Sequence, residues 1–484
     1  MLKGVLFLRK IFKPFLCAFF ILFCLLVMAG SVYAADGDIP VDLTFDGVSG
    51  PVRAGVGILR NGSLWVPADS LRGMGVVLSP GPNGKGFYMS VTNPAEVFSM
   101  PELSKLAGQS LTLYFPSIIE NKVSYFNVSG MELLTKLSFE MTGNSAVFRS
   151  KNIGFAAYTA AKQPNPAAYG KVSLAWAHIM RDNPDLEAEP RIDGLGVLSP
   201  TWFNLMDGSG NLANRASVPY VEAAHKRGCQ VWGLVSNGFS GAITTQFFRN
   251  ARGMDLFAAR MLVYAKLYNL DGINVDFENV SEADKDAFVR FMSFCMPYFS
   301  ARGLKTSVDV HVPGNSRSSR SHDRARLAGT VDYVMLMAYD EHWRTCQTAG
   351  SVASMPWVER AVQNTLAEGV PANKLVLGVP LYMRRWEETK SNGKVKVKSF
   401  TLTMDEADSA AAKRGAVPQW DGTVGQDYYS YIENGKTYKV WMENEKSIER
   451  KLSLVSKYKL AGAAGWRKGH ERSSIWNIFR QYLR

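Results

Sequence analysis

From Lys151 onward the chain alternates apolar runs with stretches of helical period. The runs are Lys171–Trp176, Leu195–Ser199, Gln230–Ser236, Gly272–Glu278, Lys305–Val310, Tyr333–Tyr339, Leu375–Tyr382 and Ala461–Trp466. Each suits a strand covered on both faces, as in a parallel sheet. Helices fit between them. Ser281 to Asp284 has the form of a capping box, and Gly303 closes the helix that follows. Eight such repeats predict an α/β fold, a (β/α)8 barrel over residues 151–484. An open doubly wound sheet is the rival, weakened because no glycine-rich phosphate turn follows the first strand.

Between the seventh and eighth strands the chain makes a long excursion, residues 384–445. A helix capped by Thr403, with Glu406 three residues on and Gly415 at its end, is flanked there by β-like stretches such as Thr437–Trp441. A small α+β insertion at this point would rise over the C-terminal mouth of the barrel, where active sites sit.

Ahead of the barrel the rhythm differs. Gly55–Leu59, the turn Asn61-Gly62 and Ser63–Val66 read as a hairpin. A short helix over Pro67–Gly73, a strand over Gly75–Leu78, and strands at Leu111–Phe115 and Ser124–Asn127 complete a β-rich domain over residues 37–149. No catalytic constellation occurs in it, and none of the six histidines precedes His178. At the start, Lys3, Arg9, Lys10 and Lys13 lead into an apolar run from Pro14 to Met28, and small residues follow up to Ala34. Residues 1–34 are therefore expected to be a signal peptide for export, with a retained anchor as the alternative. No other segment is expected to span a membrane.

Composition changes the picture little. At 484 residues the chain exceeds what one hydrophobic core supports, so two folded units are expected. The net charge of +12 drops to +8 without those four cations. The remaining basic residues are scattered and no nucleic-acid motif occurs. The charge suits an anionic surface such as a cell wall, or simple solubility. Cys229, Cys295 and Cys346 set up neither a disulfide framework nor a metal site, and Cys295 shares the apolar face of a helix with Phe288, Phe291 and Tyr298. No His-x-x-x-His or Cys-x-x-Cys spacing occurs, so no metal or cofactor is expected.

The chemistry concentrates in Asp271-Gly-Ile-Asn-Val-Asp-Phe-Glu278. Strand alternation puts Asn274, Asp276 and Glu278 on one face and Ile273, Val275 and Phe277 on the other. The apolar face packs on helices, so the polar face enters the barrel. Ionisable groups there are costly unless paired or neutral, and a raised pKa is what a general acid at neutral pH needs. The plain alternative is a strand end whose polar groups cap a helix or face solvent.

That segment resembles the Asp-x-x-Asp-x-Asp-x-Glu signature of family-18 glycoside hydrolases, the chitinases and related N-acetylglucosaminidases. Met337-Ala-Tyr-Asp340, Gly378-Val-Pro-Leu-Tyr382 and Gly462-Ala-Ala-Gly-Trp466 resemble that family's sixth, seventh and eighth strand elements, in order. Ser199-Pro-Thr-Trp-Phe203, Asp340-Glu-His-Trp343 and Gly350–Trp357 resemble the branch of spore-germination and cortex-fragment-degrading N-acetylglucosaminidases. The resemblance implies that Glu278 is the acid and base, that Asp276 holds the acetamido group whose oxygen attacks, and that Tyr339 positions it. It further implies substrate contacts at Asp340, Trp466, Asn274, Tyr382, Trp343, Trp202 and Asp309, with His311 and His342 near the rim. Asn274 replaces the commoner Asp, and its amide is expected to donate to Asp276 and keep it ionised. Arg60 to Gly75 resembles the stalk domain of copper amine oxidases, which implies a spacer or wall contact and, without histidines, no copper. The implied substrate is a β-1,4-linked N-acetylglucosamine polymer, peptidoglycan or chitin, and the implied location extracytoplasmic. A glycan-binding relative without catalysis, or a structural wall protein, are the competing functions.

Overall fold

A computed structural model describes residues 38–47, 50–151, 170–391 and 394–484; the expected signal segment lies outside them. Eight parallel strands close into a barrel: β1 (Val172–Ala177), β2 (Val197–Leu205), β3 (Gln230–Ser236), β4 (Gly272–Asp276), β5 (Lys305–His311), β6 (Tyr333–Met337), β7 (Leu375–Pro380) and β8 (Gly462–Trp466). The seam is sealed where β8 pairs with β1, as Trp466 beside Trp176. Each strand lies within one of the predicted apolar runs or overlaps it. β2 departs most, running on to Leu205 and pairing there with an antiparallel strand, Leu212–Asn214.

Alternation sorts the barrel into two layers of packing. Ile273, Val275 and Phe277 point outward and are fully buried against helices. The Phe277 ring stacks on Phe288 and Phe291 at centroid distances of 5.9 and 5.5 Å. Inside, Leu174, Val197, Trp232, Leu234, Met335, Val376 and Ala464 form a separate apolar plug. The lumen is thus a packed core below and a polar mouth above.

The helix after β4 begins differently from its sequence signal. Ser281 makes no capping bond from its side chain, and Glu282–Asp284 is a 3₁₀ turn. Asp284 instead accepts the Thr245 hydroxyl from a neighbouring helix, so the residue that would complete the box is engaged elsewhere. Gly303 does adopt the left-handed conformation, φ +73°, that ends that helix. Cys295 is buried there, and Cys229, Cys295 and Cys346 are all free thiols.

Between β7 and β8 five strands form an antiparallel sheet, with Met383–Ser391 and Lys436–Met442 at its centre. Thr403 and Glu406 close a reciprocal capping box on the helix Met404–Ala412. The insertion is tied down by buried Glu443, which accepts from Lys451, Ser447 and Gln426 at 2.7 to 3.0 Å. Gln426 in turn accepts the hydroxyl of Ser351, in the loop after β6.

The N-terminal region is a seven-stranded and a three-stranded sheet. The hairpin Gly50–Arg60/Ser63–Pro67 turns at Asn61 and Gly62, both at positive φ as a tight turn requires. Residues 75–78 form a turn and irregular chain, not the predicted strand; Ser79–Pro80 pairs instead. This region leans on the barrel through Tyr264, whose hydroxyl accepts from Tyr114 N–H at 2.8 Å and donates to Tyr114 C=O at 2.9 Å. Among the described residues no helix is long and apolar enough to cross a membrane.

Candidate active site

The polar face of β4 opens into the mouth as alternation dictates. Asn274 and Asp276 are buried in the lumen, and Glu278 follows the strand's last residue with about a quarter of its side chain exposed. Its backbone is clamped from β3's end: buried Asn237 accepts Glu278 N–H at 3.1 Å and donates to Glu278 C=O at 2.6 Å. Asp271, at the other end of the strand, accepts Val231 N–H at 2.7 Å and meets His225 Nε2 at 2.8 Å, a purely structural station.

The electrostatics follow from burial without a cation. Burial, then the nearby Asp276 and Asp340, push the Glu278 carboxyl up to about 8. Burial and Asp309 hold Asp276 well above the ordinary carboxyl value, and burial does the same for Asp309. The Oδ1 of Asp276 is buried with no hydrogen-bond partner. His311, on the last position of β5, puts Nε2 3.4 Å from the Glu278 carboxyl; burial lowers its pKa to about 4, so it is neutral at pH 7. The proton of this pair therefore resides on Glu278.

The amide of Asn274 does not reach Asp276. It donates to Asp309 at 2.6 Å, while its oxygen accepts the Trp176 indole N–H at 2.9 Å and the Ser199 hydroxyl at 3.2 Å. The expectation that Asn274 donates to Asp276 and keeps it ionised is thereby corrected: its bonds go to Asp309, Trp176 and Ser199, and burial together with Asp309 holds the Asp276 carboxyl well above its ordinary value. Asp309 itself is buried beneath the mouth, holding Asn274 in place, and is not open to a ligand.

Around these acids the structure gathers an aromatic wall. Tyr339 stands edge-on to Trp176 at 6.4 Å and to Tyr382 at 6.5 Å. Burial and the carboxyls of Asp309, Asp276 and Glu278 keep its hydroxyl protonated, so it can donate. Asp340 takes a left-handed backbone, φ +61°, and accepts from the Tyr382 hydroxyl at 2.5 Å and Arg384 at 2.7 Å. Trp466 lies 6.2 Å from Trp176 and 6.1 Å from His178, half-buried at the end of β8. Trp343 is on the rim, 55% exposed, with its N–H on Thr345.

Trp202 is not part of this group. It is 0% exposed, turned against Tyr220, and its indole N–H is used by Asn183. The β2–β3 register shifts between Thr201 and Phe203, which rotates this position out of the mouth. A sugar contact there is excluded by burial. His342 similarly binds the Ser351 carbonyl at 2.8 Å. Trp176, Asn237 and Arg384 were not singled out by sequence; their only sign was a position at or just beyond a strand's C-terminal end. Among the described residues no group of three or more His, Cys, Asp or Glu is placed to hold a metal ion.

A neutral acid at a barrel mouth, beside an unpartnered acceptor and an aromatic floor, is equipped for acid catalysis on a sugar acetal. Comparison with known proteins agrees. The family model described as Glycosyl hydrolases family 18 matches residues 232–470. The chain is 28% identical over 288 residues to an uncharacterized glycosylase, YvbX, of Bacillus subtilis, covering 56% of this chain and 80% of that one. It is 26% identical over 250 residues to a cortical fragment-lytic enzyme of Bacillus anthracis, covering 50% and 57%. Among solved structures, the C-terminal domain of a chitinase-like protein from Desulfitobacterium hafniense superposes with a TM-score of 0.59 at 24% identity, over 65% of this chain and 99% of that one, which shows the shared fold. The chain thus carries a family-18 glycosyl hydrolase domain and is a glycosidase.

Proposed function

We propose that this protein is exported and cleaves β-1,4 links at N-acetylglucosamine in peptidoglycan or its fragments, with retention of configuration and assistance from the substrate. The observation that carries the reading is the Glu278 carboxyl, raised to about 8 at the barrel mouth. Glu278 gives its proton to the glycosidic oxygen as the bond to C1 breaks. The attacking oxygen in this reading is the sugar's own acetamido carbonyl, because burial and Asp309 raise the pKa of Asp276, the neighbouring carboxyl, and weaken it as a nucleophile. The free Oδ1 of Asp276 accepts the acetamido N–H, and Tyr339 donates to the carbonyl side, aligning it with C1. Glu278, now a carboxylate, removes a proton from water as that water attacks C1 and displaces the acetamido oxygen, which returns to the carbonyl, and Glu278 regains its starting form. Trp466 supports the ring from below.

Peptidoglycan is favoured over chitin by the cortical fragment-lytic relative, by the basic chain and by the expected export signal. Residues 37–149 serve in this reading as the wall-contacting domain. Incubating the purified chain with muropeptides and with chitin oligomers, followed by mass spectrometry, tests it. New reducing ends at N-acetylglucosamine from muropeptides are expected; no cleavage of either substrate overturns it.

A further inference from the structure

A cleft of about 600 Å³ lies between the N-terminal sheets and the barrel, outside the catalytic mouth. That volume is in the range of ligand sites, and junctions between folded units are a usual place for them. Its N-terminal wall follows from strand alternation. On Ser63–Pro67, Leu64 and Val66 enter the core, so Ser63 and Trp65 face the cleft. Trp65 is half-buried there beside Asn127, its cross-strand partner. The opposite wall is the loop after β1, with Met180 72% exposed, together with Arg215 after the β2 hairpin.

The charges in this cleft are unbalanced. Arg60 is satisfied by Asp38 at 2.6 Å and Glu120 at 2.8 Å, with Asp182 at 3.9 Å. One guanidinium thus holds three carboxylates at one end of the cleft. Lys85, Arg181 and Arg215 also line it, and among the described residues none of their side chains has an ion pair or hydrogen bond. Three cations outside any ion pair, set around an indole, suit a sugar chain that bears carboxylates. One wall of the cleft, Met180–Asn183, begins two residues after His178, which lies against Trp466 at the mouth. Asn61 pins that loop to the N-terminal hairpin by donating to Asn183 C=O at 2.6 Å.

We propose that this cleft is a second glycan site, taking the carboxylate-bearing part of a strand whose neighbouring sugar occupies the catalytic mouth. It rests on the peptidoglycan reading above and specifies how such a strand is told from an uncharged one. Trp65 offers the stacking face, and Lys85, Arg181 and Arg215 read the negative charge.

The test uses the full chain carrying Glu278→Gln, so that binding is measured without turnover. Calorimetry compares a peptide-bearing muropeptide oligomer, the same glycan stripped of peptide but retaining its lactyl carboxylates, and an uncharged chitin oligomer of equal length. The peptide-bearing glycan is expected to bind at least tenfold more tightly than the chitin oligomer, and less so as salt rises. If the stripped glycan keeps that margin, the lactyl groups are the ligand; if it loses it, the peptide is. Adding Lys85→Glu and Arg181→Glu, both at exposed positions, is expected to abolish the margin, with Arg215→Gln as an independent variant. In the Glu278-containing chain the same changes are expected to leave chitin-oligomer hydrolysis unaltered. Equal binding of all three glycans, or a margin that survives charge reversal, overturns the proposal. Failure of the parent chain to cleave any glycan refutes the catalytic reading instead, and the binding margin remains separately readable.

Discussion

Glu443, fully buried, and Glu278, mostly withdrawn from solvent, are two glutamates with opposite surroundings. Glu443 is fully buried, and Lys451, equally buried, sits 2.8 Å away with Ser447 and Gln426 filling the other acceptor sites. Burial still lifts its carboxyl above the ordinary value, while Lys451 and Ser447 pull it back. Glu278 has no cation. Its neighbours are two more acids and a neutral imidazole, and the carboxyl keeps its proton to about 8. Burial alone therefore does not distinguish an acid that anchors from an acid that reacts; the partner does.

The sharpest way to break this comparison is to neutralise each acid's role in turn. Glu278→Gln should lower kcat by about a thousandfold, the range of general acid–base loss, with the thermal midpoint unchanged or raised; reducing-end release and thermal melting measure the two. The working form of Glu278 is the protonated one, so kcat/KM of the parent should hold below about pH 8 and fall above it. A flat profile through pH 9 would contradict that assignment. Next, Lys451→Met strands a buried carboxylate and should cost about 3 kcal/mol in urea unfolding, an effect Glu278→Gln must not share. Smaller again, Asn274→Asp replaces the amide that donates to Asp309 by another carboxyl. Like charge raises carboxyl pKa values, so the alkaline limb of kcat/KM should move up by about one unit.

The same contrast marks what the residue order disclosed. Gln230–Ser236 is a strand as its unbroken apolar run implies, and β4 turns Ile273, Val275 and Phe277 outward because a period of two leaves no other choice. Local rules of this kind locate Asp276 and Glu278 on the lumen side. Contacts across the lumen obey no local rule. Trp176 and Asn274 are 98 residues apart and meet only when the barrel closes, so the amide's engagement with Asp309 was not written in its own strand. Trp202 misleads for a related reason: one register shift in β2 turns a motif tryptophan into the outer core. At Ser281, a capping pattern yields to a competing hydroxyl from another helix.

Closure at the seam has a consequence for biosynthesis. Glu278 stands on the fourth stave, Trp176 on the first, and Trp466 on the last to be synthesised, paired with both β1 and β7. A nascent chain already holds its reagent acid nearly two hundred residues before it owns a vessel to hold a sugar. The mouth is complete only with the final stave, which brings Trp466 beside Trp176.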